Sequence, residues 1–211
     1  MKTGDLIDRL AENTEPVAPG TPLRILAIGV GGGAAVSALA MLLWLGPRSD
    51  LVAAMATSAY WVKFFYTLLF AVLAFRAAER LARPGVEGRV AAILFPFLGV
   101  ALLALWSWRT ALPIDHDKIL YGGSYNICPW RIVVLSLPIF AGIFWALRQL
   151  APTKPMLAGA VGGLAAGAAG AFVYAFHCGE TGMPFLAIWY TLGIILMGAL
   201  GAVLGRWSLR W

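Results

Sequence analysis

The chain has 211 residues, of which 61% are hydrophobic and only 12% are charged. Soluble domains carry about 25% charged residues, so this composition excludes a soluble globular protein and indicates a chain that folds in lipid. The net charge of +6 indicates membrane topology rather than nucleic-acid binding, because Lys and Arg concentrate in the cytoplasmic segments of membrane proteins.

Residues 1–22 form a polar tail with a two-faced helical pattern. A helix from Thr3 to Glu15 would place its acidic and apolar residues on opposite stripes. The acidic stripe is Asp5, Asp8, Glu12 and Glu15, and the apolar stripe is Leu6, Ile7, Leu10 and Ala11. A helix this short is marginal in water, so we expect it to fold onto a partner that offers an apolar groove with basic edges. A solvated terminal helix without a partner is the alternative.

Six apolar windows of about 20 residues follow the tail, and each is long enough to cross a bilayer as a helix. They are approximately Leu23 to Leu45, Ser58 to Arg76, Val90 to Trp108, Ile132 to Leu150, Met156 to Phe176 and Phe185 to Trp207. No alternation typical of a membrane barrel is present. The sequence therefore predicts an all-α polytopic membrane protein, with a cytoplasmic tail (1–22) that carries a short amphipathic helix and a six-helix transmembrane domain (23–211).

The distribution of basic residues predicts the orientation. Eleven Lys and Arg residues fall in the tail, the second and fourth loops and the C-terminus, four fall in the opposite loops, and Lys63 falls within a span. This asymmetry places both termini in the cytoplasm of a bacterial inner-membrane protein. We expect Lys63, near the outer end of its span, to extend its side chain to the interface.

Small residues recur at four-residue spacing in three spans. Gly159, Gly163 and Gly167 form such a stripe in the fifth span, and Gly29/Gly33 and Gly201/Gly205 repeat it in the first and sixth. Stripes of this kind let helix backbones approach closely. We therefore expect internal packing faces here rather than a dimer interface.

The spans hold no carboxylate or proton relay at mid-membrane, which argues against ion-coupled transport. No phosphate loop, zinc-protease motif or nucleophile elbow is present, which argues against an enzyme and an organic substrate. The sequence also predicts no obligatory cofactor.

Both cysteines and both histidines fall in the outer loops. Cys128 lies in the third loop, Cys178 follows His177 in the fifth, and His116 lies in the third. Two lone cysteines in an oxidising compartment indicate a structural disulfide, a thiol sensor, or a soft-metal site with help from the histidines. A complete tetrahedral site is disfavoured, because adjacent residues rarely point at one ion.

Several motifs together resemble the NrsF family of negative regulators of sigma F. They are the opening Met1-Lys2-Thr3-x-Asp5-Leu6-Ile7, Tyr60-Trp61-x-Lys63, Gly122-Gly123-Ser124 before Cys128-Pro129, His177-Cys178, and Trp189-Tyr190-Thr191-Leu192-Gly193. The resemblance covers essentially the full length. It implies an inner-membrane anti-sigma factor that holds an extracytoplasmic-function sigma factor at the membrane.

The resemblance also implies roles for individual residues. Cys128 and Cys178 would sense a metal or oxidative signal, with a soft or heavy metal ion as one form of that signal. The sigma-binding element would be carried by Asp5, Leu6, Ile7, Asp8 and Leu10. The competing function is a small-solute channel or metal transporter, in which the outer Cys and His residues form an entry site.

Overall fold

The computed structural model describes residues 20–83 and 90–209, together with Gly4. Within those ranges the chain forms six helices long and apolar enough to cross a membrane, and no strand. They are α1 (Thr21–Leu45), α2 (Ser58–Leu81), α3 (Val90–Thr110), α4 (Cys128–Leu150), α5 (Pro155–Ala175) and α6 (Met183–Ser208). The predicted all-α membrane fold with six spans is confirmed. Apart from Gly4, the predicted tail helix lies outside the described residues.

Two helices extend more than two residues beyond the predicted apolar windows. α2 continues to Leu81 rather than ending at Arg76, and α4 begins at Cys128 rather than Ile132. The placement of Cys128 in a loop is therefore wrong, because it is the first residue of α4. Pro129 suits the first turn of a helix, where an amide donor is not needed, and Arg131 interrupts the apolar window without interrupting the helix.

α5 lies at the centre of the bundle and α3 at its edge. In the most apolar window of each helix, 67% of α5 residues are buried against 22% of α3 residues. α5 packs against α2, α4 and α6, whereas α3 contacts mainly α2 and the beginning of α6. The abundance of Gly and Ala in α5 explains this position, since small side chains allow three neighbours to approach one helix.

The glycine stripes form close helix contacts, as predicted. A Cβ atom at Gly163 would lie 2.9 Å from the Met197 carbonyl carbon of α6. A Cβ atom at Gly33 would lie 2.5 Å from the Ile139 Cα of α4. The α5–α6 and α1–α4 pairs are thus held at distances that only glycine permits at these positions.

Two hydrogen bonds join helices inside the bundle. The Ser37 hydroxyl of α1 donates to the Leu135 carbonyl of α4 at 2.7 Å. The hydroxyls of Tyr66 in α2 and Thr191 in α6 lie 2.6 Å apart. In both pairs a buried polar group is hydrogen-bonded to a group on another helix, as the interior of a membrane protein requires.

The loops gather at two ends of the bundle. One end, here called the thiol face, holds the α1–α2 loop (46–57), the α3–α4 loop (111–127) and the α5–α6 loop (176–182), with short helices Leu51–Met55 and His116–Tyr121. The opposite end, here called the terminal face, holds the start of α1, the α4–α5 connection and the end of α6. Cys128 and Cys178 both lie at the thiol face.

Candidate functional site

The α5–α6 loop is the centre of the thiol face. Its first residue, Phe176, accepts a hydrogen bond from the Arg48 amide of the α1–α2 loop at 3.1 Å. Gly182 at its other end packs on the α3–α4 loop, where a Cβ atom would lie 3.0 Å from the Ile119 carbonyl carbon. This seven-residue loop therefore contacts both other loops of the thiol face.

Cys128 and Cys178 are brought together and both are free thiols. Their exposed fractions are 0% and 3%, and the two side chains lie close enough to interact. Cys128 starts α4 and Cys178 is fixed by its amide, which donates to the Tyr174 carbonyl at 3.0 Å. The pair therefore links α4 to the α5–α6 loop without a covalent bond.

The pKa of Cys178 is lowered from its ordinary value. The main cause is the hydrogen bond from the Cys128 side chain, and the positive charge of Lys63 acts in the same direction. Together these effects outweigh burial, which favours the neutral thiol. Because the thiolate is the form that reacts with oxidants and binds soft metals, this arrangement suits thiol chemistry.

Lys63 lies beneath the α5–α6 loop. Its exposed fraction is 4%, and its ammonium donates to the carbonyls of Cys178, at 3.0 Å, and Glu180. The ammonium also lies 5.6 Å from the centre of the Tyr190 ring. The expectation that Lys63 extends to the interface is wrong, because two backbone acceptors in the protein interior replace water as its partners.

Glu180 fastens the loop to the turn before α4. Its carboxylate accepts hydrogen bonds from the Gly123 amide at 2.9 Å and the Ser124 hydroxyl at 3.0 Å. Gly122 has a φ of +55°, and a Cβ atom there would lie 2.6 Å from Glu180 Cδ. The Gly122-Gly123-Ser124 turn is thus shaped to receive this carboxylate.

The partners of the His177 ring fit an imidazole with its proton on Nδ1. Nε2 lies 3.2 Å from an Arg131 guanidinium nitrogen, which only donates, and Nδ1 lies 2.8 Å from the Gly46 carbonyl, which only accepts. Both ring nitrogens are therefore engaged. His177 joins the α1–α2 loop to α4.

His116 lies against Trp108 rather than beside the thiols. Its ring stacks on the indole with centroids 4.1 Å apart, and its Nε2 donates to the Trp108 carbonyl at 3.1 Å. Across the described ranges, no three His, Cys, Asp or Glu side chains form a group that could hold a metal ion. Metal binding by the cysteines with His116 and His177 stays a prediction.

The beginning of α6 completes the site. Residues Leu186–Tyr190 form a π-helical turn, an element that often marks functional positions. Trp189 Nε1 donates to the Leu120 carbonyl at 2.8 Å. The Tyr190 hydroxyl is fully buried, and it has no hydrogen-bond partner among the described residues.

Motifs that are far apart in the sequence therefore meet at the thiol face. The sequence model of the family described as "Negative regulator of sigma F" (NrsF) matches residues 10–211. The chain belongs to the NrsF family. The match begins at Leu10. It therefore leaves out the other predicted sigma-binding residues, Asp5, Leu6, Ile7 and Asp8.

Two NrsF relatives align with the whole chain over their whole length. The "Probable anti-sigma-F factor NrsF" of Azospira oryzae is 38% identical over 213 residues. The "Anti-sigma-F factor NrsF" of Caulobacter vibrioides is 41% identical over 220 residues. No solved structure matches the chain significantly.

Sequence reasoning placed the cysteines and His177 on one face but missed how they are held. It assigned no role to Glu180 or Arg48, and it gave Lys63 a solvated position. A signal was present for Lys63, because a cation within an apolar span needs polar partners inside the protein if it is not at the interface. Glu180 gave a weaker signal, as an acidic residue two positions after Cys178.

Proposed function

We propose that this protein is a membrane-embedded anti-sigma factor that holds an extracytoplasmic-function sigma factor and releases it when the thiol pair meets an oxidant or a thiol-binding metal. The names of both full-length relatives support the anti-sigma role. The observation that supports the sensing role is the proximity of Cys128, at the start of α4, to Cys178 in the α5–α6 loop.

Oxidation of the pair has a simple balance. The two thiols give up two protons and two electrons and form one Cys128–Cys178 disulfide, and a two-electron oxidant such as hydrogen peroxide is reduced to two water molecules. A soft metal ion would instead replace the thiol protons and bind the two sulfurs. Either event would replace the non-covalent interaction between the two thiols and change how α4 meets the α5–α6 loop.

The topology of the proposal follows the distribution of charge. Eleven of the sixteen basic residues fall in the tail, the second and fourth loops and the C-terminal segment of the sequence, which would place the terminal face in the cytoplasm and the thiol face in the periplasm. Reporter fusions at Asp50, Lys118 and Gly182 should behave as periplasmic, and fusions at Gly85 and Pro152 as cytoplasmic. A reversed pattern at two or more sites would contradict both the topology and the function.

The tail is the proposed sigma-binding element. Leu6, Ile7 and Leu10 would enter an apolar groove on the sigma factor, while Asp5 and Asp8 would meet its basic rim. These positions lie outside the described residues. Their support is the two-faced pattern of the sequence and the membership of the family.

The direct test measures sigma-dependent transcription in wild type, Cys128→Ser, Cys178→Ser and the double variant, with and without hydrogen peroxide or Cd²⁺. We expect wild type to respond and the double variant to stay repressed at a normal membrane level. A deletion of residues 1–22 should abolish repression, whereas a transporter would keep its transport activity. A double variant that still responds would remove the thiols as the sensor.

A further inference from the structure

A groove on the terminal face lies between the beginning of α5 and the end of α6. It has a volume of about 450 Å³, and it is lined by Lys154, Pro155, Met156, Leu157, Ala160 and Arg206. The two helix ends touch here, since a Cβ atom at Gly205 would lie 2.6 Å from the Pro155 carbonyl oxygen. This contact brings Arg206 beside the residue that precedes α5, Lys154.

The groove is apolar along the helices and cationic at its end. Met156 and Leu157 are 58% and 37% exposed, and they belong to the first turn of a membrane-spanning helix. Lys154 and Arg206 stand at the boundary of the two spans. The chemistry therefore changes from hydrocarbon to positive charge in the direction in which a phospholipid changes from acyl chain to headgroup.

The two cations have no acidic partner within residues 20–83 and 90–209. Asp50, Asp115, Asp117 and Glu180 belong to the thiol face, at the other end of the bundle. Glu79 of α2 pairs with Arg83 and Arg76. A negatively charged ligand at the groove would thus meet charges that the described protein does not neutralise.

We propose that this groove binds an anionic phospholipid, with its phosphate between Lys154 and Arg206 and one acyl chain along Met156, Leu157 and Ala160. A lipid fits better than a soluble acidic peptide, because the apolar part of the groove lies within the spanning segments, where a peptide backbone would have unpaired polar groups. The site is independent of the thiol pair and of the proposed sigma-binding tail.

A second groove on the same face provides a matched comparison. It has a volume of about 480 Å³ and is lined by Ala141, Phe144, Trp145, Arg148, Gln149 and Ser208. Its size is similar, but it holds one cation instead of two. Arg148→Gln therefore controls for the general loss of a positive charge from the terminal face.

The test is native mass spectrometry of the full-length protein with phosphatidylglycerol, phosphatidylcholine or soluble glycerol phosphate. We expect phosphatidylglycerol to bind most tightly, and we expect Lys154→Gln and Arg206→Gln each to weaken it about fivefold and the double variant about 30-fold. Arg148→Gln should leave that tightest binding event unchanged, and no variant should alter phosphatidylcholine binding.

Four results would overturn the proposal, the last of them from competition with a soluble phosphate. One is equal binding of the two lipids by wild type, and another is the same loss in Arg148→Gln as in Arg206→Gln. The third is stronger phosphatidylglycerol binding after deletion of residues 1–19, which would show that the acidic tail occupies the groove. Competition by glycerol phosphate at the same concentration as the lipid would identify a phosphate site rather than a lipid site.

Discussion

The middle of the bundle and the thiol face are held together in different ways. In the middle, α1 meets α4 and α5 meets α6 through glycine backbones that leave no space for a methyl group. At the thiol face, loops are joined by hydrogen bonds that Lys63 and His177 donate and that Glu180 accepts. The glycine contacts are steric and have one arrangement. The polar contacts surround two free thiols, and we expect them to change if those thiols are oxidised.

The two regions would therefore have different roles. The glycine-packed middle would be a fixed support, and the thiol face would be the element that changes. A packed interface transmits displacement because it cannot deform continuously, and α5 connects the Cys178 loop to the terminal face. A change at the thiols would therefore reach the other face through α4, α5 and α6. The following predictions test the two kinds of contact separately.

The largest expected effect comes from glycine substitution in the middle of the bundle. Gly33→Ala would place a methyl group 2.5 Å from Ile139 Cα and 2.6 Å from the Pro138 oxygen, and both are backbone atoms that cannot rotate away. We expect a loss of about 1–3 kcal/mol in the free energy of unfolding, measured by denaturant titration in detergent.

Gly32→Ala is the matched control for this substitution. It is the preceding residue of the same helix, and nothing lies within 4 Å of a Cβ atom there. The change should be neutral or slightly stabilising, because Ala favours helix more than Gly does. Equal losses in the two variants would contradict the role of glycine in α1–α4 packing.

The proposed sigma-binding tail should show a comparable effect on affinity rather than on stability. Leu10→Ala should weaken sigma binding by about 1–3 kcal/mol, because a buried apolar anchor dominates the binding of a short helix. Asp8→Asn should have a smaller effect that disappears at high salt. Binding of the purified proteins at two salt concentrations measures both. An unchanged affinity in a Leu6→Ala, Leu10→Ala double variant would exclude the tail as the main anchor.

A smaller effect is expected where one loop contact is removed. Glu180→Ala removes a carboxylate that accepts hydrogen bonds from Gly123 and Ser124, and each such bond contributes about 0.5–1.5 kcal/mol. We expect lower stability and faster amide hydrogen exchange at Gly123. Asp117→Ala is the control, because Asp117 is an exposed acid of the same face. Equal exchange rates in both variants would contradict the fastening role of Glu180.

Hydrophobicity and spacing were sufficient to predict the six spans and the glycine packing faces. Span length is fixed by the thickness of the bilayer, and small residues at four-residue spacing lie on one helix face. Both properties are local, so a single sequence contains them.

The detailed structure of the site could not be predicted in the same way. Burial of Lys63 depends on carbonyls that are more than one hundred positions away in the sequence, at Cys178 and Glu180. The helical position of Cys128 depends on the first turn of α4, where Arg131 ends the apolar window but not the helix. Contacts of this kind depend on the tertiary arrangement, which periodicity does not contain.

The central claim is that the state of the thiols at one face changes sigma binding at the other. Its most direct measurement is the affinity of the full-length protein, reconstituted in nanodiscs, for its sigma factor before and after oxidation of Cys128 and Cys178 to the disulfide. A coupling of 1–3 kcal/mol predicts an affinity about 5–150-fold weaker in the oxidised protein, with no change in a Cys128→Ser, Cys178→Ser variant treated in the same way. Equal affinities of the reduced and oxidised wild-type protein would contradict the account.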